Sequence, residues 1–235
     1  MLTLDFRKFF NLTAMLLLAA LCETSLAEQR GLLYDPEPPL DSAYVRVVVA
    51  SREGPLDVFV DGRQRIQKLG AGEASEFMVL SAGTHTVALH SAGKTTALLS
   101  TKLEFGKGRA ITVAFPTLKA NTSPFLIEDK TNSNKLKALL TVYNLDAKNG
   151  TVDILTADGS TKVLSGIAYG SSASIPVNPI EVELMATKAG EKTSLARSSL
   201  KMTQGATYSI FLIRSENEKV TAKVGVNKVE RYTGK

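Results

Sequence analysis

Apolar residues recur at every second position over much of the chain, and no long stretch holds a helical period, so short β-strands are predicted throughout. In Tyr44-Val45-Arg46-Val47-Val48-Val49 the odd positions are apolar. Leu56, Val58 and Val60 alternate with Asp57, Phe59 and Asp61, and the run stops at Asp61-Gly62, a pair suited to a tight hairpin turn. After Ser81-Ala82-Gly83, another predicted turn, His85, Val87 and Leu89 share one face. Gly106 and Gly108 then precede Ile111, Val113 and Phe115, again on one face.

The same order returns about 96 positions later. Val45 and Val47 match Leu140 and Val142, and Asp57 and Val58 match Asp153 and Ile154. Asp61-Gly62 resembles Asp158-Gly159, while Val87 and Leu89 match Val182 and Leu184, which sets His85 opposite Ile180. Gly108, Ile111, Val113 and Phe115 match Gly205, Tyr208, Ile210 and Leu212. Each copy offers six or seven short strands with turn signals at roughly ten-residue spacing. The expected fold class is therefore all-β: two tandem immunoglobulin-like antiparallel β-sandwich domains from an internal duplication, with a single large barrel as the alternative.

The expected domains are 28–116 and 138–214, joined by a linker over 117–137 and followed by a basic C-terminal extension over 215–235. Phe125-Leu126-Ile127 inside the polar linker predicts a segment docked on one domain instead of a free tether. At the N-terminus, Arg7 and Lys8 precede an apolar run from Phe9 to Leu21, and Ser25-Leu26-Ala27 suits a signal peptidase. Residues 1–27 are expected to be a removed signal peptide, leaving a mature chain without a transmembrane segment and outside the cytoplasm. Cys22 follows Leu21 where a lipobox needs a small residue, so lipidation is disfavoured, and the mature chain then has no cysteine. Without disulfides, stability rests on the cores.

Composition narrows the chemistry further. The chain has two His, one Cys and no Trp among 235 residues. His85 shares the apolar face of its strand and reads as a partly buried side chain, and His90 has no acid nearby in sequence. No Gly-x-Ser-x-Gly elbow is present, and Ser171-Ser172 lie in a small-residue loop. Zinc lacks ligands, and Asp57, Asp61, Asp153 and Asp158 are spread through strands and turns without the dense oxygen loop that calcium takes. No catalytic residue, metal site or cofactor is expected, and export argues against nucleic acid. The net charge of +5 favours anionic partners. Candidate contacts to a partner or polymer are Arg46, projecting outward between apolar neighbours, and Arg63 and Arg65, just past the first turn.

Specific strings carry a resemblance. Leu33-Tyr34-Asp35-Pro36-Glu37-Pro38-Pro39, followed by Ser42-Ala43-Tyr44-Val45-Arg46-Val47, resembles the mature N-terminus of the AlgF family of bacterial alginate O-acetylation. Phe125-Leu126-Ile127-Glu128-Asp129, then Lys137 to Leu145, then Leu155-Thr156-Ala157-Asp158-Gly159, are similar to that family's linker and second-domain opening. The resemblance spans about Leu32 to Leu212. It implies a periplasmic, non-catalytic accessory subunit bridging a membrane-bound O-acyltransferase and periplasmic acetyltransferases, with anionic polysaccharide as a further candidate partner. The alternative is a polyuronate-binding module or an acetyl-relay protein of a related exopolysaccharide system.

Overall fold

The computed structural model describes residues 36–50, 54–119, 122–214 and 218–233. The expected signal peptide, Cys22 and the string Leu33-Tyr34-Asp35 lie outside the described residues. From Glu37 onward the chain forms one compact unit. It holds β1 (Ser42–Val49), β2 (Leu56–Val60), β3 (Arg63–Leu69), β4 (Met78–Ser81), β5 (Gly83–Ser91), β6 (Ala97–Phe105), β7 (Ala110–Phe115) and β8 (Phe125–Glu128). The second series is β9 (Ala138–Asn144), β10 (Val152–Thr156), β11 (Lys162–Ile167), β12 (Ser171–Val177), β13 (Ile180–Lys188), β14 (Ser194–Met202), β15 (Thr207–Arg214) and β16 (Val220–Val226).

The first series makes sheets β4-β1-β7-β8 and β3-β2-β5-β6, and the second makes β12-β9-β15-β16 and β11-β10-β13-β14 in the same order. The fold is all-β, with two tandem sandwiches related by duplication. Pairing is antiparallel except at β1/β7 and β9/β15, which run parallel. Among the described residues each copy has eight strands, more than the six or seven expected. The eighth is β8 in the segment read as a linker and β16 in the segment read as an extension. Val220, Ala222, Val224 and Val226 do alternate in β16, inside a lysine-bearing tail, and β8 is four residues long, too short to show a period.

Paired strands also correct the alignment of the copies. His85 pairs with Leu103 and Val182 with Leu200, so His85 corresponds to Val182, 97 positions on, and not to Ile180. Val87 and Leu89 then correspond to Leu184 and Ala186. The alternating pattern tolerates this slip of two because a shift of two residues keeps every side chain on its face.

Each sandwich buries its own core. Val45, Val47, Val58, Val87, Leu89, Val113 and Phe115 fill the first, and Leu140, Val142, Ile154, Leu184, Ile210 and Leu212 the second. Asp61 (φ 50°) and Gly62 (φ 76°) both take the left-handed conformation that the two-residue β2/β3 hairpin needs. Asp57 and Asp153 are not turn residues. Asp57 accepts the backbone N–H of Lys68 at 2.9 Å and of Gly93 at 2.8 Å. Asp153 accepts those of Gly166 at 2.8 Å and Gly190 at 3.3 Å, and Lys162 Nζ at 2.7 Å. Each buried carboxylate thus ties the neighbouring edge strand and a hairpin loop to a central strand.

The N–H donors of Gly93 and Lys68 hold the Asp57 carboxyl below its ordinary range, and Lys162, then Gly166 and Gly190, do so for Asp153. The unfolded chain therefore binds more protons than the folded one at pH values between the lowered and ordinary carboxyl pKa, and stability there rises with pH. Unfolding midpoints should fall as the pH drops through about 4 and below. Asp57→Asn should lower the midpoint at neutral pH and flatten that acid limb; thermal melts between pH 2.5 and 7 check both.

Candidate functional site

Outward-facing residues of β1, β7 and β8 meet outward-facing residues of β9 and β15. Val48, Ala114 and Ile127 of the first copy pack with Tyr143, Leu145, Phe211 and Ile213 of the second in one buried cluster. The rings of Tyr143 and Phe211 stack at 4.5 Å. At Gly72 (φ +70°), a Cβ would stand 2.1 Å from Ile213 Cδ1, so only glycine lets this loop lie against the second copy.

Arg46 enters this face and is 2% exposed. Its Nε donates to Thr112 Oγ1 at 2.8 Å, and its Nη1 to Asn227 Oδ1 at 2.8 Å. Its Nη2 reaches Asp129 Oδ1 at 3.0 Å, the Tyr143 hydroxyl at 2.7 Å and Ser209 Oγ at 3.0 Å. The guanidinium also lies 4.5 Å from the Phe77 ring centre, with Tyr143 and Phe211 at 5.3 and 5.2 Å. Thr112 and Tyr143 in turn donate to Asp129, and Ser209 donates to Asn227 at 2.7 Å. Burial raises the Tyr143 hydroxyl well above the ordinary phenol range, so it keeps the proton that it gives to Asp129.

The network draws on equivalent positions of the two copies. Thr112 pairs with Arg46 in one parallel ladder and Ser209 with Thr141 in the other. Asp129 donates its N–H to the Ala110 carbonyl, as Asn227 does to that of Thr207. Nearer the other end of the face, Arg214 grips the buried Asp146 through Nε at 2.9 Å and Nη2 at 2.8 Å. Beyond β16 the tail crosses to the first copy. Phe77 bridges in parallel to Val229, and its N–H bonds the Lys228 carbonyl at 2.8 Å. Glu230 accepts the Val79 N–H at 2.8 Å.

These contacts place the three arginines singled out in the sequence. Arg46 does project outward from its own core, but the second sandwich covers that side, so it is no contact for a polymer. Alternation tells which face a side chain takes and is silent on what lies against it. Arg65 pairs with Glu230 of the tail. Arg63 is exposed beside the first turn. The face brings Arg46 together with Asp129 and leaves Arg63 and Arg65 on the sheet beyond.

One further constellation was not legible in sequence. His85 Nδ1 lies 2.6 Å from Asp61 Oδ2, and its Nε2 lies 3.5 Å from Ser81 Oγ. The same Nε2 is 2.9 Å from the Ser81 carbonyl oxygen, which can only accept. A neutral imidazole carries one proton, and Asp61 beside Nδ1 and this carbonyl beside Nε2 both face it as acceptors. The ring clamps the β4/β5 turn to the β2/β3 turn. Among the described residues, no group of three or more His, Cys, Asp or Glu is placed to hold a metal, and no helix is long and apolar enough to cross a membrane.

Fold and site together define a two-module β-sandwich scaffold whose halves are locked through a buried polar network. Residues 13–208 match the family model described as alginate O-acetyl transferase AlgF, and the chain belongs to that family. The alginate biosynthesis protein AlgF of Pseudomonas putida is 31% identical over 75% of this chain and 75% of its own length. That of Pseudomonas aeruginosa is 30% identical over 70% and 69%. The solved C-terminal domain of the P. aeruginosa protein is 26% identical, with a TM-score of 0.33 over 40% of this chain and all of that one.

Arg46→Ala should destabilise the chain by roughly 3–5 kcal/mol, because Asp129 would then be buried without its cation. Arg63→Ala should stay within about 0.5 kcal/mol of the wild type. Urea unfolding of the chain measures both, and equal midpoints for the two variants would contradict the buried network.

Proposed function

We propose that this chain serves the O-acetylation of alginate as a non-catalytic periplasmic adaptor, bridging a membrane-bound O-acyltransferase and periplasmic acetyltransferases. The names of the family and of its curated relatives support the process. Export rests on the leader read over residues 1–27. The observation that carries the adaptor reading is the locked face around Arg46. It holds two sandwiches at one spacing and leaves their outer sheets and loop ends open. A rigid body with two binding surfaces raises the effective concentration of one bound partner near the other without reacting itself.

The test is the acetyl content of the secreted polymer, with polymer yield measured separately, in a strain lacking the chain and in complemented strains. Acetyl groups should be lost at normal yield and restored by the wild-type chain and by Ser81→Ala alike. Unchanged acetylation in the deletion strain would overturn the role in O-acetylation. A Ser81→Ala chain that folds with the wild-type midpoint yet fails to restore acetylation would overturn the non-catalytic reading.

A further inference from the structure

The loop ends at which β1 and β7 begin in the first copy, and β9 and β15 in the second, open on a common cleft. Tyr44 and Ala110 line it from one side, Asn132 and Thr207 from the other, and Phe77 and Val229 are also in the lining. Its volume is about 390 Å³, within the range of built binding pockets. The walls are tied in place. Ser42 accepts the Gly108 N–H and Tyr44 donates to the Arg109 carbonyl on the first copy. Asn132 Nδ2 donates to the Lys137 and Gly205 carbonyls on the second, at 2.9 and 3.2 Å.

Two features give this cleft its chemistry. Lys130 and Lys228 belong to its lining and are exposed. The single carboxylate among the described lining residues is Asp129, whose side chain is 5% exposed and is taken up by Arg46, Thr112 and Tyr143. The cleft therefore presents uncompensated positive charge. Val229 in the lining, and two leucines outside it in the segments that lead into β1 and β9, are exposed aliphatic side chains that fold into no core. Leu40 is 92% exposed, two residues before Ser42, and Leu136 is 71% exposed in the loop that Asn132 holds. Val229 is 52% exposed. The two leucines stand at matching places just before β1 and β9.

We propose that this cleft is a docking site for a protein partner, and that it takes an acidic, aliphatic-bearing segment of a periplasmic acetyltransferase of the acetylation machinery. The inference rests on the adaptor reading above. Charge selects the sign of the partner. The exposed leucines select a protein over the polymer, because sugars are held by flat aromatic faces and hydrogen bonds and leave branched aliphatic groups uncovered.

Titration of the full mature chain with the purified periplasmic acetyltransferase of the same organism tests this. The probes are wild type, Lys130→Glu/Lys228→Glu and Leu40→Ser/Leu136→Ser, each checked for an unchanged melting midpoint. Both variants should bind roughly tenfold or more weakly, and wild-type affinity should fall with salt as exposed charge is screened. Wild-type affinity in both folded variants would overturn this surface while leaving the adaptor reading standing. Failure of the wild-type chain to bind the acetyltransferase would overturn both. Retention of the wild-type chain on immobilised alginate, lost in the same variants, would overturn the choice of a protein over the polymer.

Discussion

A guanidinium taken out of water has to be met by acceptors, and Arg46 is met on every side. Its partners come from β7, from the residue just past β8, from β9, from β15 and from the residue just past β16. The aliphatic and aromatic cluster beside it supplies the attraction between the two faces. A buried charge network adds little net stability over an apolar one, yet it rejects every arrangement that leaves the charge unmet. The two sandwiches are consequently held in one relation, and the outer surfaces inherit that rigidity.

Duplication made this face, and divergence made it fit. The same sheet of each copy is turned inward, so matching positions confront one another across it. Val48 and Ala114 in the first copy match Tyr143 and Phe211 in the second. Small side chains thus stand where large ones must be accommodated. Arg46 matches Thr141, and Asp129 matches Asn227, so charge is confined to one copy and the other contributes neutral acceptors. Two unchanged copies would bring like charges together at the centre.

Much of the architecture was legible in the residues. The alternation marked β1, β2, β5 and β7, Asp61-Gly62 marked its hairpin, and the repeat marked the two domains. β8 is too brief to show a period, β16 alternates but lies in a tail whose lysines read as a solvated extension, and the slip at His85 arose because a period of two cannot tell one register from another two residues away. The strand and outward direction of Arg46 were readable, whereas its burial was not, since nothing local records that a distant sheet will cover it. The clamp of Asp57 and Asp153 was hidden for a related reason. Most of their partners are backbone N–H groups of an edge strand and a hairpin loop, which carry no side-chain signature.

The path of the chain through this face sets when it can be completed. Arg46 lies on the first strand, and its Asn227 partner is 181 residues further on, past the last strand. The tail that follows is also the neighbour of Phe77, at the start of the fourth strand. Loop closure over such spans comes late in folding. Until Asn227 to Glu230 arrive, Arg46 Nη1 lacks its acceptor and the backbone at Phe77 lacks its partner. A chain in which Asn227 to Glu230 have not docked is thereby distinguishable from one in which they have, and these four residues act as the closing stitch between the two sandwiches.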